Sequence, residues 1–450
     1  MYMDHICQFI EETNFDNIPD KAKEVIKKAF IDTFGVTVAA DGDENSEVVK
    51  NMLPDLFQQE TYPSSLYTAF KSSPVALSFL IGTMSHVLDY DDVNFTFHGH
   101  PSVALIPIIL GLAKEKQLNG KDMIEAYAIG FEVQGRIGEA IGPSQYKNGW
   151  HTTSTIGIYG AIAAAAKILK LNSQQIKYAF GVASSLSSGT RKNFGTMTKP
   201  IHTGFTAMHA YMATKLAASN FTATDDIFSN PMGIDSIMSS KKEDFSSILK
   251  LGKVWELVEF GIIIKKYPCC AFTHRSIDAV IELADENNLD ISEIEKIHTD
   301  VHYKVPPVLI YPNPKTGLEA KFSMQFCLAA GITIKNLNLG TFSVDNIQNP
   351  QVQELSSKVE MSIHPKQVEG TGTDERFSEV QIFTKDKVYN KKVEYPIGHP
   401  NRPLSEKELY QKFSDCTSTM VKEDQEQLYQ LLLNLESTDW SQVESIFLSK

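Results

Sequence analysis

The run Ile156–Ala166, IGIYGAIAAAA, narrows most sharply what this chain can fold into. It is the longest apolar run, yet it falls short of the roughly 18 residues that suggest a membrane span. Its glycines and alanines have little side-chain bulk. They predict a helix packed closely against its neighbours, not one that crosses a bilayer. The same 3.6-residue apolar period recurs up to about residue 265. It is seen in KAKEVIKKAFIDTFGVTVAA, for which Asp20 is a candidate cap, and in PVALSFLIGTMSHVL, where Ser73 precedes and Pro74 lies near the helix start. Pro101 opens SVALIPIILGLAKEKQ, which Asn119-Gly120 ends. KDMIEAYAIGFEVQGRIGEAI follows, closed by Gly142-Pro143. TSTIGIYGAIAAAAKILK, SQQIKYAFGVASSLSSG and TGFTAMHAYMATKLAASN continue the pattern. Long helices joined by short Gly, Pro or Asn breaks predict an all-helical domain.

The texture changes near Tyr267-Pro268. HRSIDAVIELADENN and AKFSMQFCLAAGITI are helical in period, whereas IEKIHTDVHYKVPPVLIY, VEMSIHP and SEVQIFTKDKVYNKKVEYP alternate as strands, the last with a KDK turn. These segments predict an α+β unit with a small antiparallel sheet. From Pro396 onward, SEKELYQKFSDCT and KEDQEQLYQLLLNLES are helical again. The expected class is mainly α, with a large helical domain built from both chain ends (1–266 and 396–450) and an inserted α+β domain (267–395). At 450 residues the chain exceeds one typical core, which agrees with two domains.

A net charge of −13 argues against nucleic-acid binding through phosphates, though a few local cations can still hold an anionic substrate. The acidic start, MYMDHICQFIEETNFDN, is no signal peptide. Five scattered cysteines, with no zinc spacing, suit a reducing cytoplasm, and the vicinal Cys269-Cys270 is expected to be two small buried residues. There is no P-loop, no G-x-S-x-G and no H-E-x-x-H. GFEVQGRIGEAIG sits inside a helical pattern without a preceding strand, which argues against a dinucleotide site.

What remains is a set of titratable residues at the ends of apolar helices. HVLDYDDVNFTFHGH packs His86, His98, His100, Asp89, Asp91 and Asp92 between two core helices. Buried charges are costly unless paired or functional, so this stretch is a candidate site wall. NGWHTTSTIG puts His151 just before a helix, where the helix terminus favours a bound anion and lowers a histidine's pKa. GTRKNFGTMTKPIHTG brings Gly195, Thr196, Thr198, Lys199 and His202 to another helix start, a setting suited to a carboxylate. IIIKKYPCCAFTH carries Lys265, Lys266 and His274 at the expected domain boundary. The bland alternatives are a packed core histidine at His86, loop surface for His98 and His100, solvation for Lys199, and capping or salt bridges for Asp89, Asp91 and Asp92. His209 and His364 are assigned to structure. Imidazole and carboxylate ligands from His86, Asp89 and His100 would suit several metals, but their spacing matches no metal motif.

Taken together, HVLDYDD followed by HPS, GWHTTSTIG, GTMTKPIHTG, KKYPCCAFTH and TGLEAKFSMQF resemble the MmgE/PrpD family, in the same order and over nearly the whole chain. That family includes 2-methylcitrate dehydratase, cis-aconitate decarboxylase and iminodisuccinate epimerase. The resemblance implies a helical domain with an inserted α+β lid, a homodimer, and neither organic cofactor nor metal. It implies that Asp89, His100, His151, Lys199 and Lys265 line the pocket. This chain departs from the pattern in three places. Val93 stands where a threonine is expected, the segment to His100 is one residue longer (making His98 a possible substitute), and Cys270 replaces a histidine, leaving His274 the nearest. Met197-Thr198-Lys199 lacks the tryptophan that methylcitrate dehydratases tend to carry before the lysine.

The shared chemistry implied is a carbanion made and quenched beside a carboxylate, in decarboxylation, dehydration or epimerisation. The expected protein is a cytoplasmic, cofactor-independent lyase on a small di- or tricarboxylate. An isomerase using the same pocket and a non-catalytic carboxylate-binding scaffold are the alternatives. Lys199 and Lys265 would clamp carboxylates, His100 and His151 would move protons, and Asp89 would orient a histidine. Thr198, His202, His98 and His274 would complete substrate binding.

Overall fold

The computed structural model describes residues 1–57, 65–228, 232–239, 242–335, 337–368 and 376–448. The chain forms two compact units, one of residues 1–87, 91–264 and 405–450, the other of residues 88–90 and 265–404.

The first unit is helical. At its centre lies the helix Gly157–Ile168, buried from Gly157 to Ala166. It packs on the helix Gly120–Lys147 at a crossing where only glycine fits. A Cβ at Gly130 would stand 2.8 Å from the Gly160 carbonyl oxygen, and one at Gly160 would stand 2.7 Å from that of Gly130. The small residues of IGIYGAIAAAA thus allow the backbones to touch. A second close crossing joins the helices Pro74–Val87 and Thr198–Ala218. A Cβ at Gly204 would lie 2.7 Å from the Phe79 carbonyl oxygen, and the Thr203 hydroxyl donates to the Gly82 carbonyl at 2.6 Å. His86 is one turn past Gly82, and Lys199 and His202 precede Gly204. This crossing therefore brings the polar ends of both helices together.

Two predicted helix ends differ. Asp20 does not cap its helix: it is the first helical residue of Asp20–Ala39, where its charge suits the helix dipole, and Pro19 precedes it without a side-chain cap. The helix expected to stop at Gly142-Pro143 runs on to Lys147 with Pro143 inside it. The buried Gln145 anchors that last turn by accepting from the Thr155 hydroxyl at 2.6 Å, a tertiary contact that offsets the hydrogen bond proline removes. The C-terminal segment packs into the same unit. The Lys412 ammonium meets Asp32 at 2.6 Å, and the Phe447 ring stacks on Phe70 at 4.1 Å.

The second unit is α+β. Its sheet has the order β2-β1-β3-β4, with β1 Ile294–Val301, β2 Val359–Ile363, β3 Ser378–Thr384 and β4 Val388–Val393. The sheet is mixed, not antiparallel as expected, because β1 and β2 run parallel. The chain between them passes through the helices Met324–Thr333 and Pro350–Ser357, the long crossover that a parallel pair needs. The strand-like stretch expected to reach Tyr311 ends at Val301. Pro306 and Pro307, which lack an N–H, follow. All five cysteines are buried free thiols. Among the described residues no helix is long and apolar enough to cross a membrane.

Candidate active site

The site in the helical unit is built on a loop that folds back on itself. After the helix Pro74–Val87 ends, Asn94 and Gly99 exchange backbone hydrogen bonds at 2.9 and 3.1 Å. The Asn94 side chain also accepts from the Thr96 and Phe97 amides. The chain reverses and returns His100 to the last turn of the helix that carries His86. The His86 and His100 rings meet edge to face, with centroids 4.5 Å apart.

Asp91 lies between them. Its carboxylate oxygens are 2.9 and 3.0 Å from His86 Nδ1, and one of them is 2.8 Å from His100 Nδ1. Burial pushes the Asp91 carboxyl up, but the His100 and His86 imidazoles outweigh it and hold the group well below the ordinary value of 3.8. A carboxylate only accepts, so the His86 ring, kept neutral by burial, donates Nδ1–H to it and keeps its lone pair on Nε2, while His100 meets it as an ion-pair contact.

His151 completes a third side. Its amide donates to the Gly189 carbonyl at 3.0 Å, and it precedes the short helix Thr152–Thr155. Two bonds stitch this turn to the loop: Thr152 donates to the His98 carbonyl, and the His100 amide donates to the Thr153 hydroxyl at 3.1 Å. The His151 ring lies 5.7 Å from His86, nearly parallel, and 6.5 Å from His100. Its Nδ1 faces His202 Nδ1 at 3.0 Å. Burial lowers the His151 pKa well below 6.5, helped by the neighbouring histidines and by Lys199. Burial and then Lys199 take His202 down to about 4.

Lys199 is the second residue of its helix and only 5% exposed. A cation buried at a helix N-terminus is disfavoured by both desolvation and the dipole, which makes it a candidate functional group. Its ammonium lies 5.4 Å from the Phe194 ring, whose edge also meets His151 at 5.0 Å.

Thus His100, His151, Lys199 and His202 are brought together in this unit. Thr198 is the exposed first residue of the lysine's helix. His98, in a left-handed conformation at φ 59°, pairs its Nδ1 with its own loop at the Phe95 carbonyl. Asp89, Lys265 and His274 belong to the α+β unit. There the buried Lys265 donates to the Asp89 carbonyl at 2.6 Å and to its carboxylate at 3.0 Å. His274 is fully buried, with Nε2 3.3 Å from the Cys269 carbonyl.

The sequence reading gave the histidine-orienting role to Asp89; the carboxylate that grips His86 and His100 is Asp91. His86, weighed as a packed core residue, is buried but belongs to the cluster. The signal for both was an Asp five residues past a helix-terminal histidine, a spacing outside any helical repeat. Donor atoms of His86, Asp91 and His100 lie within 4.8 Å of one another, so this trio could also hold a cation.

Behind the loop, Asp92 accepts from the Ser102 amide at 3.2 Å and bonds its hydroxyl, which meets Tyr127 at 2.7 Å. Burial and then the charge of Asp32 push Asp92 up to about 8. An acid whose folded pKa lies above its unfolded value stabilises the fold most below that unfolded value. The contribution is lost as pH rises through about 8. Asp92→Asn is neutral at every pH. It is expected to match the wild type in acid and to have the higher Tm above pH 8. Parallel Tm-against-pH curves for the two proteins would exclude this role.

Residues 4–246 match the family model of the MmgE/PrpD N-terminal domain, and residues 267–436 match that of the C-terminal domain. Human cis-aconitate decarboxylase is 28% identical over 382 residues, covering 81% of this chain and 77% of its own. The mouse cis-aconitate decarboxylase is 27% identical over 424 residues, covering 88% and 83%. That of Aspergillus terreus is 25% identical over 396 residues, covering 81% and 79%. The two matched domains account for most of the sequence, and the chain belongs to the MmgE/PrpD family.

Proposed function

We propose that this protein is a cofactor-independent lyase that decarboxylates a small polycarboxylate of the cis-aconitate type. The single observation that carries the reading is the cluster of buried Asp91, His86, His151 and Lys199 with the half-buried His100. Loss of CO2 leaves an electron pair on carbon that spreads into a neighbouring carboxylate. A buried cation stabilises that growing charge far more than it would in water. Lys199 supplies the cation, His151 supplies the proton that replaces CO2 on the carbanion, and His100, held beside Asp91, is the ring through which solvent returns that proton to the site.

A base ring and an acid ring 6.5 Å apart would equally serve α-epimerisation, so the isomerase reading is kept as the alternative. Incubation in deuterated water with cis-aconitate, 2-methylcitrate and iminodisuccinate, each followed by proton NMR, separates the cases. Deuterated itaconate is the expected product. An alkene formed from methylcitrate would make the protein a dehydratase. Deuterium exchange at the α-carbon of iminodisuccinate would make it an epimerase. No change in any sample would reject this substrate class.

A further inference from the structure

His151 and His202 face each other Nδ1 to Nδ1 at 3.0 Å. Burial and the Lys199 charge keep both rings neutral. Two neutral imidazoles in this arrangement share a single proton between the facing nitrogens, because two would clash and none would leave lone pairs opposed. Their tautomers are therefore interlocked. If His202 carries Nδ1–H, His151 carries Nε2–H, and the reverse also holds.

Asp91 decides the tautomer of His86. His86 gives its Nδ1 proton to the Asp91 carboxylate, so it has no proton at Nε2, and His100 holds its Nδ1 2.8 Å from the same carboxylate. His86 Nε2 is buried without a hydrogen-bond partner among the described residues. A carbanion must be quenched by an N–H, and the proposed function gives that role to His151. We infer that His202 sets the tautomer of His151: His202 donates its Nδ1–H, and His151 is held with its proton on Nε2, available to the substrate carbon. His202 thus acts through His151, as a positioning residue.

The surroundings fix this pair. Gly189, at φ +122°, accepts the His151 amide, and a Cβ there would stand 3.3 Å from His202 Cγ and Nδ1. One glycine thus holds the His151 backbone and lies against the His202 ring. The Ser154 and Thr206 hydroxyls bond the His202 carbonyl from within the unit.

The role in catalysis rests on the decarboxylase reading, but the tautomer can be tested without substrate. In the full-length protein labelled with ¹⁵N-histidine, long-range proton–nitrogen correlations report which ring nitrogen carries the proton. Wild type and His202→Asn, whose amide nitrogen takes the place of Nδ1 as donor, should show His151 as Nε2–H. His202→Asp, an acceptor only, should switch it to Nδ1–H. With cis-aconitate, His202→Asn should keep kcat within about tenfold, while His202→Asp and His202→Leu should lose about a hundredfold at a similar KM. A wild-type His151 found as Nδ1–H, a tautomer unmoved in His202→Asp, or equal kcat in all three variants would overturn the inference. If wild type converts none of the substrates, the decarboxylase reading fails, and the tautomer measurement still decides this one.

Discussion

Lys199→Ala is expected to lower kcat/KM by about 10²–10³-fold, the loss seen when one preorganised group facing a developing negative charge is removed. The effect should fall on kcat as well as KM, because the charge on the carboxylate grows as CO2 departs. The fold should survive. Lys199 is a buried cation at the wrong end of a helix dipole, so deleting it removes a desolvation cost. Steady-state itaconate formation and a thermal melt check the two halves. A Tm equal to or above that of wild type with turnover down is the expected pair. Near-native turnover would remove Lys199 from the mechanism.

Asp91→Asn carries the second large expected effect. The wild-type carboxylate accepts from His86 at 2.9 Å and lies 2.8 Å from His100 Nδ1 as its ion-pair partner. An asparagine has one accepting oxygen and one donating nitrogen, so one of the two rings must reverse its tautomer or lose its partner. The rate should fall by about 10²–10⁴-fold, the usual worth of a positioned acid or base. The stability change has a sign that can be worked out. The folded Asp91 titrates well below the unfolded value of 3.8. Its contribution is therefore present above that value and lost as pH falls through the folded one. The Tm deficit of Asp91→Asn should be full at neutral pH and shrink in strong acid. A deficit independent of pH would mean that Asp91 is not ionised in the folded protein.

Much of the helical framework was legible because its signals are local. Pro74 and Pro101 stand at the starts of their helices, and the small residues of 156–166 predicted the tight helix contact that Gly130 and Gly160 make. The parallel β1–β2 pair was not legible, since strand direction depends on how a long crossover returns and not on the alternation within either strand. The helix that runs through Pro143 was missed because its last turn is held by Thr155, ten residues from Gln145.

The site divides in the same way. The sequence determined which chemical groups are present, and that His86, His100, His151 and Lys199 stand at the ends of apolar helices, because residue type and helix period are local properties. Only the tertiary structure decided which groups meet. Asp89 and Asp91 are two residues apart and chemically identical, yet one pairs with Lys265 and the other with two imidazoles. Lys199 and His202 come to the His86 end of the helix Pro74–Val87 because Gly82 and Gly204 let two helices approach to backbone contact. Hydrogen-bond partnership is set by directions and distances of a few ångströms, and those come from packing between segments far apart in the chain.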